Sequence, residues 1–163
     1  MEAKTEYKLE TLKVKYAGFF NFGEIIAFIK KWLQNEYYVV LEQKHKYKPK
    51  SQEVEFIGFR KLNEYVKYAV EITIKSEETK EVELVKEGKK LNTQEGKLVI
   101  TLNGSMDLDW QKRFKGQKFL TFLQDFYHKY IIKQKIEEEW MGPFEKKVMQ
   151  LRDDVKETFL EGD

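Results

Sequence analysis

Two stretches of the chain gather side chains suited to binding anions. One is Lys44-His45-Lys46-Tyr47-Lys48-Pro49-Lys50, the other Trp110-Gln111-Lys112-Arg113-Phe114-Lys115-Gly116-Gln117-Lys118. Cations interleaved with aromatic rings suit phosphate, single-stranded nucleic acid or an acidic partner, because charge tracks a backbone while rings offer stacking surfaces. The second stretch also precedes an expected helix, whose free N-terminal N–H groups favour an anion. The plainer reading is a solvated strand-to-helix connection in a lysine-rich chain, with Trp110 and Phe114 closing the edge of the core. The candidate binding residues are therefore Trp110, Lys112, Arg113, Phe114, Lys115 and Lys118, with Lys44, Lys46 and Lys48.

Other chemistries find less support. The two histidines, His45 and His128, form no His-x-x-x-His or His-Glu-x-x-His spacing, and the chain contains no cysteine, so thiolate nucleophiles, disulfides and cysteine-ligated metal are excluded. Asp107 and Asp109 share a strand face and could meet Asp125 or Glu64 as hard-cation ligands or an acid/base pair. Acidic residues on the wet face of a strand are common, however. Ser51, Ser76 and Ser105 lie outside any Gly-x-Ser-x-Gly elbow, and neither phosphate-binding glycine signature is present. No catalytic residue, metal ligand or cofactor is assigned. An enzyme would have to be of unrecognised type, with Asp107, Asp109, Asp125 and His128 as its polar cluster.

These residues need a scaffold, and composition bounds it. The chain has 163 residues, 41% hydrophobic and 15% aromatic, with 30 Lys and Arg against 28 Asp and Glu for a net charge of +2. A chain of this length buries about 68–70% of its unfolded surface in one core. The near balance of charge gives no global field for a polyanion, so any such contact must be local. No apolar run approaches the roughly 18 residues a membrane helix needs, and Met1 to Leu9 lacks a signal-peptide pattern. A cytoplasmic location is expected.

Leu12, Val14 and Tyr16 alternate with lysines as a strand that Gly18 is expected to end. Asn21 and Glu24 form an N-cap pair for a helix over about 22–34, in which Phe22, Ile25, Ile26, Ile29, Trp32 and Leu33 recur at helical spacing. From Tyr37 to Tyr47 alternation returns, placing Tyr37, Val39 and Leu41 on one face and Lys44, Lys46 and Lys48 on the other. Strands follow from about Glu53, from Val66 to Lys75, around Val82 to Val85, and from Gly96 to Trp110, where Gly104 suggests a bulge. After Gly116, Phe119, Phe122, Phe126 and Tyr130 belong to a broad apolar helical stripe that could line a pocket against the sheet or fill its core. Gly142-Pro143 opens a last helix with the stripe Phe144, Val148, Leu151, Val155.

The expected fold is one α+β domain over residues 1–163: an antiparallel sheet of about five to seven strands packed on a long amphipathic helix, with residues 142–161 as an additional C-terminal helix, peripheral or joined to a second copy. This order resembles the START-like helix-grip architecture over roughly Leu12 to Ile132, with one early helix where two are usual and an extra helix after Pro143. The resemblance implies a sheet gripping a helix and brings no functional residue. The segments Tyr16-Ala17-Gly18-Phe19-Phe20-Asn21-Phe22, Trp32-Leu33, Asp107-Leu108-Asp109-Trp110-Gln111-Lys112-Arg113-Phe114, Phe119-Leu120 and Asp125-Phe126-Tyr127 resemble small archaeal proteins of unknown function, a likeness that implies no activity or ligand.

The functional expectation is a non-enzymatic binding or assembly module holding a protein partner or an apolar small molecule. Nucleic-acid or anion binding through 44–50 and 110–118 is the alternative.

Overall fold

The computed structural model describes residues 6–63, 65–108 and 135–160. Among these residues six strands form one antiparallel sheet: β1 (Glu6–Lys8), β2 (Leu12–Phe20), β3 (Val39–Lys48), β4 (Ser51–Lys61), β5 (Val66–Lys86) and β6 (Lys89–Leu108). Among the described residues the order is β1-β6-β5-β4-β3, with β2 also on β6, so β1 and β2 share one edge and β3 forms the other. The chain is thus α+β around an antiparallel sheet.

Alternation decides which face of the sheet is dry. Phe56, Ile72, Ile74, Ile100, Leu102 and Met106 point one way and are almost wholly buried, while the residues between them stay partly or fully exposed. Helix α1 (Phe22–Asn35) covers this face with Phe22, Ile25, Ile29 and Leu33. Its start is fixed by Asn21, whose side-chain oxygen accepts from the Glu24 N–H at 3.0 Å. Its end turns sharply at Tyr37, held at φ 69, while the Tyr38 N–H donates back to the Leu33 carbonyl at 2.9 Å. A left-handed residue after a helix closes its last turn, a place glycine takes most easily.

A π-helical stretch, Ile136–Met141, leads into α2 (Gly142–Val155) and a closing π-helical turn, Lys156–Leu160. The stripe Phe144, Val148, Leu151 and Val155 is buried within its own chain. Phe144 stacks on Tyr68 at 4.3 Å, Phe28 meets Phe159 edge-on at 5.3 Å, and the Trp32 Nε1–H donates to Asp154 at 3.1 Å. The last helix therefore docks on its own sheet and on α1, which closes this stripe to a second copy. No helix among the described residues is long and apolar enough to cross a membrane.

Several expected boundaries move, each for a local reason. β2 continues through Gly18, which pairs with Gly96, to Phe20. The strand expected around Val82 is the continuation of β5, because Glu78 and Thr79 form a bulge opposite the single residue Gly96 instead of a turn. Gly96 makes that bulge possible: a Cβ there would sit 2.9 Å from the Glu77 carbonyl oxygen. Correspondingly, β6 begins at Lys89 after a two-residue turn at Glu87-Gly88. Gly104 is no bulge on the β5 side, where it pairs regularly with Val70. It makes room for the Leu9 side chain, whose Cδ1 would be 2.7 Å from an added Cβ. The extra residue lies across from it, between β1 and β2, where Leu9, Glu10 and Thr11 face only Gly104 and Asn103. The expected long aromatic helix, with Phe119, Phe122, Phe126 and Tyr130, lies outside the described residues.

Candidate functional site

The most consequential departure from the sequence pattern is in β3. Val39 pairs with Phe59 and Leu41 with Ile57, but Gln43 has no partner, so the pairing resumes with Lys44 on Glu55, Lys46 on Glu53 and Lys48 on Ser51. One unpaired residue inverts the side-chain alternation beyond it. Lys44, Lys46 and Lys48 therefore lie on the same face as Val39 and Leu41, where strict alternation would have put them opposite. The result is a single track along the edge of the sheet, apolar at one end and basic at the other, on the face turned away from both helices.

The apolar end is open. Val39 is 64% and Leu41 53% exposed, Ile57 and Phe59 of β4 extend the patch inward as half-buried neighbours, and Tyr37, 80% exposed, stands in the turn before the strand. Lys67 borders it, 4.4 Å from the centre of the Phe59 ring, whereas the Tyr37 ring lies 5.9 Å from Arg60, which pairs in register with buried Tyr68. The basic end is partly compensated from behind. Lys44 lies 3.3 Å and Lys75 3.8 Å from the same Glu53 oxygen, whereas Lys46 and Lys48 hold no salt bridge among the described residues. Burial would raise the Glu53 pKa, but the hydrogen bond from Lys44 and the charges of Lys75, Lys44 and Lys46 outweigh it and hold the carboxyl below its ordinary value. His45 faces the other way and sits 3.5 Å from Glu42, which also holds Lys30 at 3.3 Å.

Two hollows open among these strands, the smaller of them at the basic end of the track. The larger, about 440 Å³, opens on the outer face beside the β1–β2 bulge and is lined by Lys8, Thr11, Ile57, Glu71, Asn103 and Ser105. The Thr11 hydroxyl donates to Asn103 at 2.6 Å. Glu71 stands next to Glu55, and their shared hydrogen bond, with burial and the Glu55 charge, raises the Glu71 pKa. The smaller, about 190 Å³, lies at the β3–β4 turn between Lys46, Lys48, Ser51, Lys75, Ser76 and Glu77. There Ser76 is buried and its hydroxyl accepts from the Gln52 N–H at 3.2 Å. The other raised groups, Tyr7, Tyr38 and Tyr68, owe their shift first to burial on the helix side. The Tyr68 hydroxyl donates to the Trp140 carbonyl at 2.7 Å, a structural tie with no access to the outer face.

The sequence-predicted residues divide accordingly. Lys44, Lys46 and Lys48 come together on the track. Trp110, Lys112, Arg113, Phe114, Lys115 and Lys118 lie outside the described residues, as do Asp109, Asp125, His128 and Glu64. Asp107 lies on the outer face, paired in register with Glu6 and Lys67. Sequence reasoning missed Tyr37, Val39 and Leu41 as an exposed feature, since their alternation reads as a buried face. Comparison with known family models and with curated proteins finds no match.

Proposed function

We propose that this chain is a cytoplasmic, non-enzymatic binding or assembly module that holds a protein partner on the outer face of its sheet, along β3. The observation that carries this reading is the exposure of Val39 and Leu41, beside Phe59 and Ile57 of β4, in one patch at a sheet edge. A bulge and lysines are devices that guard an edge strand against indiscriminate pairing, and they account for Gln43 to Lys48. They do not account for an unguarded apolar half beside them. Exposed apolar surface continuous with a charged rim is the usual composition of a contact site for another protein. The large hollow favours this over an apolar small-molecule ligand, because Glu71, Asn103, Thr11 and Lys8 line it.

The test is site-specific photo-crosslinking in the source cell. A crosslinker at Leu41 should trap a defined partner that rebinds the purified chain, while one at Glu145, exposed on α2, should not. Equal yields at both positions would remove the reading.

Anion or nucleic-acid binding is the second reading, favoured by Lys46 and Lys48, which hold no salt bridge among the described residues, and opposed by Glu53, Glu55 and Glu77 interleaved with them. It requires affinity for RNA or DNA that falls steeply with salt and is lost on Lys112→Glu with Arg113→Glu.

A further inference from the structure

Resting on the protein-binding reading, we propose that β3 receives an added strand from its partner: an extended segment apolar opposite Val39 and Leu41 and acidic opposite Lys44, Lys46 and Lys48. Among the described residues β3 pairs only with β4, so its other side carries ladder groups that an incoming strand can satisfy. Main-chain hydrogen bonds supply the attachment, and the side chains on the track select what attaches.

Selection follows from columns of charge across the sheet. Neighbouring strands are stabilised by opposite charges side by side and opposed by like ones. On the outer face the lysine column of β3 already has Glu53 and Glu55 of β4 behind it. An acidic strand on the free side would complete a negative, positive, negative order and engage Lys46 and Lys48, which the sheet itself leaves without a salt bridge among the described residues. The bulge at Gln43 is what allows one partner face to read both halves. Were Gln43 to take a regular place in the ladder, the apolar and basic residues would face opposite sides, and a single strand could not present matching side chains to both on one surface.

A second copy of this chain matches the track poorly. Antiparallel overlap along the whole strand sets the lysine half of each β3 against the apolar half of the other, and parallel overlap sets lysine against lysine. A nucleic acid would meet Glu53 and Glu55 directly behind the lysines. The chemistry therefore favours a protein segment of opposite pattern.

The experiment uses the full chain and synthetic peptides of 10 residues, the length of β3, alternating threonine with valine in one half and with glutamate in the other. Fluorescence anisotropy gives affinity, and amide hydrogen exchange gives the location. The glutamate peptide should bind and slow exchange along β3, while a peptide with lysine for glutamate should not. Lys46→Glu with Lys48→Glu should weaken the glutamate peptide about tenfold and give the lysine peptide comparable affinity. These residues are exposed at an edge, and an unchanged melting temperature would confirm that the variant is folded.

Binding without protection of β3, or binding indifferent to the charge swap, overturns strand addition. So does protection of β3 by self-association at rising protein concentration, or by single-stranded RNA in place of the peptide. If peptide binding fails while the Leu41 crosslink still yields a partner, strand addition falls and the protein-binding reading stands. Failure of both removes both.

Discussion

Phe56 and Ile57 are neighbours on β4 and belong to different environments. Phe56 is fully buried with Lys30 of α1 over its ring, whereas Ile57 looks outward between Leu41 and Glu71 in the adjacent strands. The inner face is held by volume: branched and aromatic side chains fill the space under two helices, and any change leaves a void or a clash. The outer face is held by the placement of charge, with Glu53 drawn to lysines and Glu71 set against Glu55. One set of strands thus concentrates its stability on one side and leaves the other free to carry recognition.

The largest expected effect lies on the inner face. Phe56→Ala should lower unfolding free energy by about 3–5 kcal/mol in urea denaturation, while Ile57→Thr should cost less than about 1.5 kcal/mol. Equal losses would mean that the outer face is covered by structure of its own. Next, Gly96→Ala should cost about 1–3 kcal/mol, because the added methyl meets the backbone of Glu77 and Thr79 instead of a side chain that could move aside. A neutral result would show that the β5 bulge relaxes freely.

Deleting Gln43 removes only the unpaired residue and leaves Glu42 on Phe56 and Lys44 on Glu55, so Lys44, Lys46 and Lys48 stay on the face of Val39 and Leu41. Stability should change by only about 1 kcal/mol, and the glutamate peptide should still bind. Lost binding would show that recognition needs the bulge itself and not only the shared face.

The smallest effects are in the pH dependence, and they have opposite signs. The Glu71 pKa is raised in the folded chain, so the folded state binds more protons than the unfolded one and loses stability as pH climbs from the ordinary glutamate range through the raised value. Glu71→Gln should remove that loss. The Glu53 pKa is lowered, so its contribution is present above the ordinary glutamate range and disappears as pH falls through the lowered value. Glu53→Gln should therefore destabilise near neutrality and have no effect in strong acid. Melting temperatures of both variants from acid to neutral pH would show slopes changing in opposite directions, and parallel slopes would contradict the charge map.

What could be read from the sequence was whatever local pattern controls. The cap at Asn21, the apolar stripe of α1 and the alternation from Val66 to Lys75 all reappear in place, because each depends on neighbours within a few positions. The proline after Gly142 likewise marked α2 correctly. Bulges escaped for a physical reason: the alternation on each side of Gln43 is intact, and only the partner strand shows that one residue has been skipped. The same holds for Glu78 and Thr79, where a local charge cluster resembles a turn until Gly96 is seen across from it. The track was hidden by that inversion, since its two halves were expected on opposite faces. Its basic half was legible and its apolar half was not.

The pairing of β2 with β6 bears on how the chain is made. Thr11 and Asn103 are hydrogen-bonded across 92 positions, so during synthesis the first strands leave the ribosome long before the strand that receives them exists. β3, β4 and β5 can zip together as successive hairpins in the meantime, while Val14, Phe20 and the apolar side of α1 wait without a complete surface to cover them. Sheets closed by such distant contacts fold over about milliseconds to seconds, and exposed apolar segments in that interval are the ordinary targets of chaperones. The edge synthesised first is thus the one that closes the sheet last.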